Sequence, residues 1–229
     1  MQHWLPEFSH DAVRGAFHVV IDPRPAGDLP LSILKVVSGP DVVTLTPELA
    51  ERLSLSSGDR ASAEQLSIRM GEAGMRLHGA DHLFYLPLPK QPAVRDEAWG
   101  SETRELTQQD EEAFTRFRNE APESDLDDAF VELDHWLVFG TFADGRLVAA
   151  ASMYPWRGTR LADLGVLTLP GHRGLGFGRR TVRAISARAI ELGYEPQYRC
   201  QLDNAPSVAL AESAGFARFA EWDVLDVDQ

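Results

Sequence analysis

The residues best suited to chemistry in this chain lie between Leu164 and Arg180, which read L-G-V-L-T-L-P-G-H-R-G-L-G-F-G-R-R. A strand-like apolar run ends at Pro170, glycines follow at 174, 176 and 178, and a helical pattern opens at once. Glycines carry no Cβ, so several backbone N–H groups can converge on one small volume. The start of the following helix adds its own unpaired N–H groups and the positive end of its dipole. Arg173, Arg179 and Arg180 add full charges. This is an anion cradle, suited to a pyrophosphate. Spacing narrows its type. A Walker A loop needs a Lys after the last glycine, and none follows here. The dinucleotide fingerprint G-x-G-x-x-G/A fails in both registers, because the sixth position is Arg179 counting from Gly174 and Thr181 counting from Gly176.

What the segment does match is R-x-x-G-x-G, as Arg173, Gly176 and Gly178. Further on, Asn204 opens N-A-P-S-V-A-L-A-E-S-A-G-F, in which Asn204, Ser207, Leu210, Gly215 and Phe216 keep the spacing N-x-x-[AS]-x-x-L-Y-x-x-x-G-F without a gap. In this order the two segments resemble motifs A and B of the GNAT superfamily, the acyl-CoA-dependent N-acyltransferases. The resemblance covers residues 99–229. It implies an N-acetyltransferase that moves an acetyl group from acetyl-CoA to a primary amine by direct transfer in a ternary complex. It also implies coenzyme A contacts from Leu167, Thr168, Leu169, Arg173, Gly174, Leu175, Gly176, Phe177, Gly178, Arg179, Asn204 and Ser207. The strand around Leu167 to Leu169 would pair with the pantetheine arm and offer an N–H to the thioester carbonyl. One position departs from the pattern. The motif B tyrosine, often the acid that protonates the leaving thiolate, is replaced by Ala211. That departure keeps a second reading open, a non-catalytic acyl-CoA sensor or interaction module.

The chemistry also needs a base for the acceptor ammonium and tolerates an acid for the thiolate. Asp163, on the strand leading to the cradle, is the first candidate base, since family bases often lie there. Its alternative is a plain exposed strand start. His135, beside Glu132 and Asp134, titrates near neutral pH but has no partner visible in sequence, so it reads as solvated. Tyr198, Cys200 and Ser207 are the candidate acids in place of Ala211. Tyr198 and Cys200 share one strand face, which a core role explains equally well. An unassisted thiolate is an acceptable leaving group. Trp156 and Arg157 fall in a loop that either borders the acceptor or covers a sheet edge. Arg183 and Arg188 read as a solvated helix face.

Charge and composition exclude several classes. The formal net charge of −13 argues against nucleic acid as a partner, because phosphate backbones need clustered cations. A single cysteine, Cys200, excludes an intrachain disulfide, and the seven histidines show no paired ligand spacing, so no metal is expected. No apolar run reaches the ~18 residues of a membrane span, and no basic leader opens the sequence, so a cytoplasmic protein is expected. The expected partner is a small-molecule or peptide amine, with the chain a monomer or a homodimer.

The fold class expected is α+β with a mixed sheet. From Ser101 on, patterning gives strands at 104–106, 136–142, 146–153, 161–169, 197–202 and 216–224, with helices at 108–119, 125–131, 177–192 and 205–214. This β-α-α-β-β-β-α-β-α-β order agrees with the GNAT fold. The first 98 residues read as a separate α/β domain of unknown role, with strands at 31–37, 41–45 and 82–86 and helices at 47–53 and 63–77. That domain is either a degenerate GNAT-like half or an unrelated cap. The proline-rich stretch 87–92 marks the expected boundary.

Overall fold

The structure, a computed structural model, describes residues 15–23, 29–156 and 158–226. In chain order the first elements are β1 (Ala16–Ile21), β2 (Leu31–Val36), β3 (Asp41–Leu45), α1 (Pro47–Arg52), β4 (Arg60–Ser62), α2 (Ala63–Glu72) and β5 (Asp81–Tyr85). Then come α3 (Gln91–Arg95), β6 (Thr103–Glu105), α4 (Glu111–Glu120), α5 (Glu123–Ala129), β7 (Leu137–Ala143), β8 (Arg146–Pro155) and β9 (Leu161–Thr168). The last are α6 (Phe177–Glu191), β10 (Glu195–Gln201), α7 (Ala205–Ala214) and β11 (Ala217–Val224). The fold is mixed α/β.

The chain forms two compact units that interleave in sequence. The first holds residues 1–83, 200–203 and 218–229, and the second holds 84–199 and 204–217. In the first unit the strands run β4-β1-β3-β2-β11, with β1 and β3 parallel and the other pairs antiparallel. Phe17, Val19, Ile33, Val43 and Leu45 pack there with Leu49, Leu66 and Met70 of the helices. This unit also holds a cleft of about 410 Å³ lined by Phe17, Ile33, Leu66 and Met70.

In the second unit β10 pairs parallel with β9, and β9-β8-β7-β6 continue antiparallel. Phe114 and Phe117 of α4 pack on Val138, Ala150, Leu167 and Leu169, so α4 and α5 cover one face of this sheet. On the other face Thr181 of α6 bonds Thr141 of β7 at 2.7 Å. The β7–β8 hairpin turns at Asp144 (φ 51°) and Gly145 (φ 76°), the pair of positive φ values that a type I′ turn demands.

Several expectations needed correction in the structure. Strands β1 and β4 add to the predicted order of the first half. The helix expected to reach residue 77 ends at Glu72, because Gly74 takes φ 68° and Met75 N–H donates back to the Met70 carbonyl at 2.8 Å. The stretch 87–92 is not a bare linker. It forms a 3-10 turn, Leu88–Lys90, and opens α3. The loop expected from Tyr154 is shorter, since β8 carries on to Pro155. No described helix is long and apolar enough to cross a membrane.

Candidate active site

The cradle is built from backbone. After β9, a 3-10 turn at Pro170–His172 leads to Gly174 (φ 74°) and Gly176 (φ 84°), and Gly176 is the N-cap of the 15-residue α6. Both glycines sit in the left-handed region that other residues adopt only at a cost. An ideal Cβ on either would meet open space, so conformation rather than crowding requires them. Gly176 has no side chain to cap the helix. Among the described residues, the N–H groups of 177–179 have no intrahelical acceptor, and the first helical bond is Arg180 N–H to the Gly176 carbonyl at 3.0 Å. Convergent N–H groups at the positive end of a long helix favour an anion. Gly178 is there for a different reason. Its Cβ would stand 2.7 Å from Thr168 Oγ1, so α6 presses directly on the end of β9.

Beside the cradle the sheet opens. The β9–β10 register runs from Leu161↔Glu195 to Leu164↔Tyr198 and stops, while β9 stays paired with β8 through Thr168. Leu169 N–H bonds the Val148 carbonyl at 3.0 Å. In an antiparallel ladder of constant register, the odd residues 163–169 therefore address β8 and the even ones address the opposite side. Past Leu164 those are Val166 and Thr168. The Thr168 carbonyl is taken by Arg173 Nε at 3.1 Å, which leaves Val166 N–H and C=O and Thr168 N–H facing a slot. A strand-like chain of amides could pair there. This corrects the expectation for Leu167 and Leu169, whose backbones address β8 and whose side chains lie in the core. Val166 was missed, since residue parity cannot be read before the register is known.

The model of the acetyltransferase (GNAT) family matches residues 99–216, more than half of the chain. The chain belongs to the acetyltransferase (GNAT) family. Solved structures with a similar fold include a putative GNAT acetyltransferase from Novosphingobium aromaticivorans, at 22% identity and TM-score 0.51, covering 68% of this chain and 69% of that one. A GNAT-family acetyltransferase from Colwellia psychrerythraea aligns at 17% identity and TM-score 0.49, over 80% and 76% of the two chains. A ribosomal-protein-alanine N-acetyltransferase from Brucella melitensis aligns at 20% identity and TM-score 0.42, over 53% and 96%. No curated protein matches the chain.

In this GNAT domain the expected side chains divide between the two faces of the sheet. Tyr198 and Leu164 are register partners, and the Tyr198 hydroxyl lies 2.8 Å from Ser207 Oγ of α7. Ser207 N–H in turn donates to the N-cap Asn204 Oδ1 at 3.1 Å. Two candidate acids thus meet on the α7 side. Ala211 is 0% exposed, so the usual tyrosine position is filled by packing. Cys200 is also buried.

Asp163 lies on the other face, opposite Tyr154 and beside Gln197. It is 4% exposed rather than the exposed strand start of the alternative reading. Its Oδ1 accepts from Gln197 Nε2 at 2.8 Å, and its Oδ2 accepts from Tyr154 Oη and Arg199 Nη2 at 3.0 Å each. Gln197 Oε1 accepts from the Tyr85 hydroxyl. Three donors, one of them a guanidinium, hold this carboxylate in place. Burial, and then the Asp163 carboxylate, push the Tyr154 phenol up to about 12.

His135 is not merely solvated. Its Nδ1 lies 2.8 Å from Ser152 Oγ, and its ring packs 5.2 Å from Tyr154 and 5.0 Å from Phe130. Burial lowers its pKa, against the opposing pull of Asp134 and Glu132. Arg173 holds Asp125 of α5 as well as the Thr168 carbonyl, so its guanidinium ties the cradle down. Arg179 Nε bonds the Ser213 carbonyl at 2.9 Å. Arg183 departs from the solvated-face reading. Its side chain is 12% exposed and bonds Glu97 and the Ala214 carbonyl. Arg188 is exposed and pairs with Glu191 at 3.1 Å. Trp156 is buried with the Arg199 guanidinium over its ring, and Arg157 lies outside the described residues.

Proposed function

We propose that this chain is an acetyl-CoA-dependent N-acetyltransferase acting on a primary amine within a ternary complex. The observation that carries the reading is the slot opening past Leu164 directly beside the uncapped start of α6. The N–H groups of residues 174–179 would hold the pyrophosphate, with Arg179 and Asn204 alongside. The backbone of Val166 and Thr168 would pair with the pantetheine amides, the Val166 N–H facing the thioester carbonyl. Bound acetyl-CoA supplies the acyl group as an activated thioester. The acceptor nitrogen loses two protons in all, one to a base and one that ends on the departing thiol. Tyr198 and Ser207, a hydroxyl pair on the α7 side, are the proton donors we assign to the thiolate. Asp163 we assign to positioning of Tyr154, Gln197 and Arg199 rather than to proton removal. The second unit, residues 84–199 and 204–217, would carry this chemistry, taking in 84–98 and leaving out 218–229 relative to the division into 1–98 and 99–229 expected from sequence.

Buried Ala211 favours one rival, an acyl-CoA sensor without turnover. Titration calorimetry with acetyl-CoA tests both, with Gly176→Glu as the control that strains φ and places a carboxylate in the cradle. Micromolar binding lost in the variant, together with thiol release on adding amines, supports the enzyme. Binding without release for any amine supports the sensor, and no binding by the natural chain removes both.

A further inference from the structure

We propose that Phe130, His135 and Tyr154 form the acceptor subsite, a wall of rings that takes a cationic amine carrying a flat apolar group. This rests on the N-acetyltransferase reading above. The placement comes from register. Tyr154 stands opposite Asp163, and Ser152, which holds His135, stands opposite Gly165, the last residue before the backbone turns toward the slot. All of these lie on the α5 face of the sheet, away from the α6 and α7 side where the cradle and the Tyr198–Ser207 pair lie.

Two backbone features build this corner. Phe130 ends α5 in the left-handed conformation, φ 45° and ψ 48°, where glycine or asparagine is at ease and an aromatic residue is strained. Its side chain is nevertheless 56% exposed, so little burial offsets the strain. Gly165 interrupts the middle of a buried strand. A Cβ there would stand 2.0 Å from the Ala129 carbonyl oxygen, so the missing side chain is what lets the end of α5 lie on β9. Together the two residues present an aromatic ring at the mouth of the slot.

The ring geometry fits stacking. Phe130 meets Tyr154 edge-on at 6.0 Å and His135 at 5.0 Å, so the three rings support one another and leave the outer face of Phe130 open. The charges around them are suited to a cation. Tyr154 is held as a neutral phenol and burial favours neutral His135. Arg118 is paired with Glu132 and Arg199 with Asp163, while Asp134 adds a further carboxylate. Glu132 and Asp163 are offset by those partners, so neutral ring faces beside the remaining Asp134 carboxylate are what attract an ammonium group. An anionic acceptor would meet two cations already paired.

The test compares three amines, 2-phenylethylamine, 1,4-diaminobutane and glutamate, by thiol release from acetyl-CoA. The subsite predicts the lowest KM for 2-phenylethylamine. Phe130→Gly should raise that KM at least tenfold, leave acetyl-CoA affinity unchanged and raise Tm, because glycine relieves the positive φ. Phe130→Asn, which also tolerates that φ, provides a second variant with the same expectation. Three results overturn the subsite: an unchanged KM in both variants, a preference for glutamate or 1,4-diaminobutane, or acetyl-CoA binding with no thiol release from any of the three. Failure to bind acetyl-CoA would instead remove the N-acetyltransferase reading itself.

Discussion

Gly178 offers a sharp test of how the cradle is assembled, because two opposing effects there can be weighed. Gly178→Ala gains helix propensity, about 0.8–1 kcal/mol in a helix interior and less this close to the N-terminus. It also places a Cβ 2.7 Å from Thr168 Oγ1 and 3.4 Å from Leu210 Cδ2. The first distance is far inside van der Waals contact, and a β-branched threonine has little freedom to turn away. Overpacking of this kind costs about 1–3 kcal/mol, so the clash wins by roughly 1–2 kcal/mol net. For a chain of this size that lowers Tm by about 2–8 °C. In a Thr168→Ala background Oγ1 is gone, the nearest contact becomes Leu210, and propensity decides. The same substitution should then be neutral or stabilising. Thermal unfolding of the four chains reads the coupling directly, expected near ~2 kcal/mol. Calorimetry should follow it, with acetyl-CoA affinity falling in Gly178→Ala as the N–H groups of 177–179 shift. Equal effects of Gly178→Ala in both backgrounds, or a stabilised single variant, would refute the close helix–strand packing on which the cradle depends.

Other substitutions separate chemistry from scaffolding. Asp163→Asn removes the charge facing Arg199, and losing one member of a buried pair costs about 3 kcal/mol, measurable by urea denaturation. Unchanged stability with a collapsed kcat would return Asp163 to the role of base. Tyr198→Phe should lower kcat about 10²-fold with acetyl-CoA affinity intact, the low end for a lost proton donor, because a thiolate leaves readily. An unaltered kcat would take the hydroxyl pair out of the reaction. Stability should also depend on pH through His135 and His82, both lowered chiefly by burial. Below about pH 6.5 the unfolded chain binds protons that the folded chain refuses, so stability falls as pH drops through that window and is complete above it. Tm measured between pH 7.5 and 5.5 should decline, and His135→Gln should flatten part of the decline. Parallel curves for variant and natural chain would contradict this.

The second half of the fold was legible because its signals are local. Asn204 and Gly215 mark the ends of α7, Asp144-Gly145 marks the hairpin, and the glycine loop marks the start of α6. The glycines could be placed in a cradle by spacing alone. Their separate reasons could not, since Gly176 is required by its φ and Gly178, in α6, by a neighbour on β9. Strand β4 was illegible because three residues carry no periodicity, and its pairing with β1 is what holds it. In β1 the alternation of Phe17 and Val19 was present but short. The slot residues were misassigned for a clear reason. Apolar spacing marks Leu167 and Leu169, yet the open backbone groups belong to Val166 and Thr168, whose side chains give no sign of it. His135 looked solvated because Ser152 and Tyr154 lie on a different strand.

A sheet opened by a slot addresses the proton problem of acyl transfer in a way that a closed pocket does not. The acceptor must lose protons and the thiolate must gain one, and a single site serving both would tend to neutralise itself. Here Asp163 and Leu164 are neighbours in β9, but their register partners Gln197 and Tyr198 point to opposite faces. The buried carboxylate, which positions the phenol beside the ring wall, is thereby confined to the α5 side, where the acceptor would sit. The Tyr198–Ser207 pair is confined to the α7 side, next to the helix that would hold the pyrophosphate. On this reading the amine and the thiol approach the slot from different faces and meet at Val166. The replacement of the motif B tyrosine by buried Ala211 would then leave a proton donor in place, because the Tyr198 hydroxyl reaches the same face from β10.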